Sequence, residues 1–284
     1  MERFLENFKK LWKNRGKKNE PRGKMGKKGN KKEKQVFCKP KHNNSSLNVN
    51  KTSILIGLNY PGSHYSLNGC VNDVKNGDLF LKDHGYNSKF LDDSKVTDSY
   101  NVLEALEELR NSNSEYVFFH YSGHGTRQVD KDGDEEDGMD EVIYSKNGKM
   151  ITDDEINQAL SLFSEDKTIF LVFDCCHSGT IADLAYICTD HGYSILKNPK
   201  HLKAKIICLS GCKDFQTSAD ITEGSISYGA LYSTLYKILR NNKTEITWSE
   251  LHKQLKLEMS FKKYTQIPQL TASDPDLFNE IVKF

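Results

Sequence analysis

The chain has 284 residues, room for one large domain or two small ones. Its 40 Lys/Arg and 39 Asp/Glu nearly cancel to +1, but residues 1–36 hold 14 basic and 4 acidic side chains, leaving a net acidic body with 26 and 35. No apolar run nears the roughly 18 residues of a membrane-spanning helix. Seven cysteines without zinc-ligand spacing or a secretory leader favour a reducing, cytoplasmic setting over a disulfide framework.

Residues 1–18 place Phe4, Leu5, Phe8, Leu11 and Trp12 on one helical stripe among Lys9, Lys10, Lys13 and Arg15. A short basic amphipathic helix of this kind can lie on an anionic membrane surface or dock in a groove; a solvated arm is the plainer reading. Residues 16–34 are rich in Lys, Gly and Asn with almost nothing to bury, which predicts disorder. They lack the aromatic context of specific nucleic-acid binding. Residues 1–50 are therefore an arm, and 51–284 the folded domain.

Thr52 to Asn59 reads as the first buried strand. Gly69 to Lys82 is helical by the spacing of Val71, Val74, Leu79 and Leu81. A short strand is expected near Lys89 to Leu91. An amphipathic helix follows from Thr97 to Leu109, with Val102, Leu103, Leu106 and Leu109 inward. Tyr116 begins an apolar strand that ends in Ser122-Gly-His-Gly125. An acidic loop, a strand from Glu141 to Tyr144 and a helix from Thr152 to Phe163, capped by Thr152 or Asp153, come next. Thr168 to Phe173 is apolar or β-branched without a break, as in a parallel strand buried on both faces, and stops at Asp174-Cys-Cys-His-Ser-Gly179. A strand from Ala204 to Leu209 and helices from Tyr228 to Leu239 and Trp248 to Met259 complete the order. Strands alternating with helices imply a doubly wound α/β sheet.

Two strands thus end in reactive groups, where open α/β sheets place their sites. His124 precedes Cys176 by 52 residues. Adjacent strand tips can bring thiol and imidazole together, as nucleophilic cysteine chemistry needs.

Ser122-Gly-His-Gly125 with Asp174-Cys-Cys-His-Ser-Gly179 resembles the metacaspases, cysteine peptidases of the caspase-like clan. The likeness continues through Leu67 to Asp73, Asp132 to Glu141, Ser210 to Asp220 and Gln266 to Leu270, and covers about Thr52 to Phe284. It implies a caspase-like three-layer sandwich, a mostly parallel sheet with helices on both faces. Its large region would span about 51–187, a short linker about 188–203 and a small region about 204–284. Cys176 takes the nucleophile's place, with His124 as general base and then acid. Cys175 falls at a variable position, and strand alternation turns it to the other side. Backbone amides of Gly125 and Cys176 are the natural oxyanion donors, Gly125 allowing substrate close to the backbone. No Asn or Asp is marked by position to orient His124.

Caspases that cut after Asp carry basic residues in the pocket for the residue before the scissile bond. Here Asp174 stands two residues before the nucleophile, and the resemblance adds Asp73, with Cys70 and Ser122 lining the pocket. Two carboxylates suit Arg or Lys, so protein or peptide substrates cut after a basic residue are expected.

In the acidic loop Asp130, Asp132, Asp134 and Glu141 fit positions 1, 3, 5 and 12 of an EF-hand. Position 6 is Glu135 instead of Gly and the flanks are strands, which excludes that motif. Metacaspases bind calcium through scattered aspartates, and the resemblance carries this to Asp140, Asp153, Asp154 and Asp183, implying calcium activation. Lys197, Lys200, Lys203 and Lys205 mark the connector as a place for self-cleavage, hence a zymogen, and its shortness resembles the type I members. Asp220, after the Cys212 loop, is expected to wall the groove. The chain is expected to act as a monomer. Rival readings are a catalytically silent, calcium-responsive scaffold with this fold, and another member of the same clan.

Overall fold

The computed structural model describes residues 50–284 other than 98–99, 131–137, 177, 197–198, 212–219, 224–225 and 242–244; side chains of 220–228 also lie outside it. The basic arm, most of the acidic loop, His177, Lys197, Cys212 and the side chain of Asp220 therefore fall outside the described residues.

In chain order the elements are β1 (Lys51–Gly57), α1 (Cys70–Asp83), β2 (Asn87–Leu91), α2 (Val102–Asn111), β3 (Tyr116–Ser122), β4 (Gly125–Val129), β5 (Met139–Tyr144), β6 (Met150–Thr152) and α3 (Asp153–Ser161). There follow β7 (Thr168–Asp174), β8 (Tyr186–Thr189), β9 (Gly192–Ile195), β10 (Lys205–Ser210), β11 (Asp220–Glu223), β12 (Ile226–Gly229), α4 (Ala230–Asn241), α5 (Trp248–Phe261) and β13 (Gln269–Ala272). The main sheet runs β2-β1-β3-β7-β10-β13-β8-β9. Its first five strands are mutually parallel; β13, β8 and β9 pair antiparallel in succession.

Strand alternation divides the core in two. Ile54, Ile56, Val117, Phe119, Tyr121, Leu171 and Phe173 face α2 and α3. Leu55, Phe118, Phe170, Val172, Ile207 and Leu209 face α1, α4 and α5. Large apolar side chains thus fill both faces of β3 and β7. That gives an unbroken hydrophobic run in the sequence and a three-layer sandwich in space.

Local signals set the helix starts. Thr152 and Glu155 form a reciprocal capping box at α3, and Thr247 and Glu250 another at α5. The box of Asn101 and Glu104 starts α2 five residues later than the pattern from Thr97 implies. On α1 the apolar spacing misleads: Leu79 is exposed and Phe80 takes the inward place. The buried face of α1 also includes Asp73, Gly77 and Asp78. The stretch expected as a linker supplies most of an antiparallel hairpin, β8 with β9, joined to the same sheet.

The C-terminal ends of β1, β3, β7 and β10 lie along one edge because the strands are parallel. The strand order reverses between β2 and β3, on either side of β1, a switch point of the kind that opens a crevice.

Candidate active site

Ser122 and Asp174 are register partners at the tips of β3 and β7. The Gly123 amide donates to the Asp174 carbonyl at 3.4 Å, carrying the ladder one step further. His124 and Cys176 each stand two residues beyond that matched pair. Their chain segments meet: a Cβ on Gly125 would lie 2.1 Å from the Cys176 carbonyl oxygen and 3.1 Å from Cys175 Sγ. Gly125 is thus required by the approach of the Cys176 backbone, a different reason from the substrate approach expected of it. Cys175 is fully buried while Cys176 is half-buried. Ser178 and Ser210 brace the loop after β7 through the carbonyls of Cys175 and Gly179.

The His124 backbone is held by two tyrosines. Its amide donates to Tyr60 Oη at 3.3 Å, and its carbonyl lies 3.0 Å from Tyr121 Oη. Both hydroxyls also reach the Tyr144 carbonyl, at 2.9 and 2.7 Å, and each other at 3.0 Å. Burial pushes both phenols well above their ordinary range, so they remain neutral donors. The His124 ring lies against Tyr60 and edge-on to Tyr65, with centroids 4.9 and 5.8 Å away.

The orienting partner of the imidazole is a main-chain group. His124 Nε2 is 2.5 Å from the Tyr65 carbonyl oxygen. A carbonyl only accepts, so Nε2 carries the hydrogen and Nδ1 keeps the lone pair. Tyr65 sits in the loop after β1. That loop is anchored where the Asn59 and Tyr60 amides donate to the two oxygens of Asp93, each at 2.9 Å, and where the Leu67 amide donates to the Asn59 carbonyl at 2.8 Å. Sequence reasoning could not find this group, because a carbonyl is common to every residue type.

The two carboxylates expected to select a basic side chain meet donors from several elements. Asp73, in the first turn of α1, is wholly buried, and Asp174 at the end of β7 is nearly so. Asp73 accepts from the Gly229 amide at 3.1 and 3.0 Å and from Ser122 Oγ at 3.3 Å. Asp174 accepts from the Tyr232 amide at 3.2 Å. Cys70 opens the same helix as Asp73 and is buried. The structure therefore brings Asp73, Asp174 and Ser122 together on one face of the strand tips.

The four aspartates expected around calcium stand on three segments. Asp140 is on β5, Asp153 and Asp154 open α3, and Asp183 lies in the loop after Cys176. Burial first, then the charges of Asp183 and Asp140, push the Asp153 carboxyl up to about 8. Asp153 accepts from the amides of Glu141 and Asp154 at 2.7 and 2.9 Å. Lys200 Nζ stands between Asp154 Oδ1 at 2.5 Å and Asp183 Oδ2 at 3.0 Å. Among the described residues no three His, Cys, Asp or Glu form a ready-made metal cage. Hard oxygen donors crowded enough to hold an ammonium ion do suit a calcium ion by chemistry. Asp183 adopts a left-handed φ of 45°, and its carbonyl accepts from Asn157 at 3.1 Å.

Of the connector lysines, Lys203 is exposed and Lys205 opens β10. Cys188 and Cys208 are buried thiols in strands, and burial raises both. No described helix is long and apolar enough to cross a membrane.

The Peptidase_C14 model, the caspase domain, matches residues 50–278. Metacaspase-1 of Scheffersomyces stipitis is 30% identical, the alignment covering 83% of this chain and 73% of that protein. Metacaspase-1B of Neurospora crassa is 32% identical, over 81% and 68%. The crystal structure of protein GSU0716 from Geobacter sulfurreducens aligns with a TM-score of 0.61 at 23% identity, over 81% of this chain and 97% of that one, a likeness of fold.

Proposed function

The chain belongs to the caspase-domain cysteine endopeptidases, and within them to the metacaspases; from that premise we propose that it cuts polypeptides after arginine or lysine and is activated by calcium. The observation that carries the specificity is the pair of buried carboxylates, Asp73 and Asp174, gathered beside Ser122 at the strand tips. A cationic side chain is what two such charges select; an acidic one would be repelled.

Peptide hydrolysis follows from the groups at hand. Cys176 Sγ attacks the scissile carbonyl carbon as its proton passes to His124 Nδ1. The amides of Gly125 and Cys176 are the donors for the oxyanion. The imidazolium returns the proton to the departing amine, leaving a thioester at Cys176. The same imidazole then deprotonates a water that attacks the thioester, releasing the acid and restoring the thiol. The Tyr65 carbonyl keeps the ring in the one tautomer that works for both halves.

Calcium would be held by Asp140, Asp153, Asp154 and Asp183. Bound there, the ion supplies a double positive charge among segments that include the loop after the nucleophile. Self-processing falls at Lys203, exposed in the connector, whereas Lys200 is engaged with two carboxylates. The chain would act as a monomer in the cytoplasm, its basic arm meeting an anionic partner or membrane surface.

Fluorogenic peptides ending in Arg, Lys and Asp, each assayed with calcium and with a chelator, test the proposal. The basic pair should be cut and the Asp peptide spared, with activity lost on chelation. Preference for Asp removes the pocket assignment, and indifference to chelation removes the calcium.

A further inference from the structure

We propose that Gly229, with the amino end of α4, is the positioning element of the acidic pocket: its amide and that of Tyr232 aim the two carboxylates, and its missing side chain lets them stand side by side. The inference rests on the reading of Asp73 and Asp174 as the pocket for a basic side chain.

Gly229 closes β12 and directly precedes α4; Tyr232 is the third residue of that helix. The first amides of a helix have no partner within it. Here two of them are used on carboxylates from distant parts of the chain. The Gly229 amide donates to both oxygens of Asp73, 156 residues away, and the Tyr232 amide to Asp174, 58 residues away. Both acceptors are buried, so backbone donors at a helix start supply partial positive charge where two like charges meet.

The space at Gly229 is already taken. A Cβ there would lie 2.2 Å from Asp174 Oδ2 and 3.0 Å from Asp73 Oδ2. The other oxygen of Asp174 lies close to a second glycine: a Cβ on Gly211 would stand 3.0 Å from Asp174 Oδ1. Asp174 thus has one oxygen against Gly229 and the other near Gly211, just past the end of β10, and Asp73 is tied to the amide of Gly229. A methyl at 229 must push at least one carboxylate away from the place a substrate cation would meet it. Gly229 touches no reacting atom; it acts through the two aspartates.

The test compares wild type with Gly229→Ala and Gly211→Ala on Arg-terminated and Gln-terminated fluorogenic peptides, alongside alkylation of Cys176 by iodoacetamide followed by peptide mass spectrometry. For Gly229→Ala, kcat/KM on the Arg peptide should fall about 100-fold, the scale of an ångström's misplacement. The loss should lie mainly in KM, with the Arg-over-Gln preference shrinking in step and alkylation within twofold of wild type. Gly211→Ala should show the same signature at about a tenth of that size; it carries the test alone where Gly229→Ala is not recovered folded. Unchanged KM for the Arg peptide, or alkylation lost in parallel with cleavage, overturns the inference. A wild-type enzyme without preference for Arg overturns the pocket assignment itself, and the inference with it.

Discussion

His124 Nε2 is hydrogen-bonded to the carbonyl oxygen of Tyr65, 59 residues earlier, at 2.5 Å. The group that orients the base is therefore a loop backbone, and its accuracy depends on what anchors the loop. Asp93 does so through the amides of Asn59 and Tyr60. Asp93→Ala should lower kcat by about 10- to 100-fold with little change in KM. Tyr65→Ala keeps the carbonyl and removes a mostly exposed ring whose contact with the imidazole is edge-on, so it should retain kcat within about threefold, well short of the loss a moved group brings. Steady-state kinetics on an Arg peptide checks both; equal losses in the two variants would contradict the backbone's role.

Removing the Tyr121 hydroxyl takes the donor from the part-buried His124 carbonyl and leaves the Tyr144 carbonyl to Tyr60 alone. Tyr121→Phe should destabilise the fold by about 1–3 kcal/mol, the cost of leaving such an acceptor unsatisfied. Urea denaturation followed by tryptophan fluorescence measures it. A midpoint equal to wild type would show that Tyr60 holds the turn unaided.

Neutralising one carboxylate of the pocket should show in substrate choice. Asp174→Asn removes a charge while preserving an acceptor for the Tyr232 amide. A charge-assisted hydrogen bond of about 3 kcal/mol corresponds to roughly a 100-fold loss in kcat/KM on Arg and Lys peptides. Reactivity of Cys176 toward iodoacetamide should be spared. Undiminished cleavage after Arg would remove Asp174 from the pocket.

Two imidazoles make the fold sensitive to acid. Burial lowers His120 to about 3, and burial, against the Pro268 carbonyl bond, lowers His252 to about 4. Each folded-state value lies below the ordinary 6.5, so the unfolded chain takes up protons first. Their contribution is complete above pH 6.5 and is lost as pH falls toward 4 and 3. At pH 5 that is about 2 kcal/mol each, at about 1.4 kcal/mol per pH unit. His252→Gln, which can still donate to Pro268, should flatten the fall in urea stability between pH 7 and 5 by about that amount. Parallel pH profiles would contradict this.

Lys200 places its ammonium where the proposed cation would sit between Asp154 and Asp183. The two should compete. Lys200→Met is expected to tighten terbium and calcium binding about 10-fold, the factor carried by about 1.4 kcal/mol of displaced attraction. Terbium luminescence and calorimetry read this independently of catalysis. Weaker binding in the variant would mean that Lys200 orders the site for the ion instead.

The two strands that carry the reactive residues were legible because each is apolar on both faces and ends abruptly in polar groups; β3 and β7 are such runs. The helix at Thr152 was legible through its cap. α2 starts later than the amphipathic pattern from Thr97 implies because the capping box of Asn101 and Glu104 sets its first turn. The inward side of α1 was blurred by Asp73, Gly77 and Asp78, polar or small residues buried for the sake of partners elsewhere. β9 left no pattern at all, since its four residues are exposed on a sheet edge. The Tyr65 carbonyl has no side-chain identity to read. The need for glycine at 229 comes from carboxylates 156 and 55 positions away, which only the folded chain brings near.

On the proposed mechanism Cys176 Sγ is the atom that cuts. The most direct measurement is the rate at which wild type and Cys176→Ala, both with calcium, release fluorophore from an Arg-terminated peptide. Cleavage by wild type and none above background from the variant is predicted. A variant that cuts at the wild-type rate would contradict the assignment.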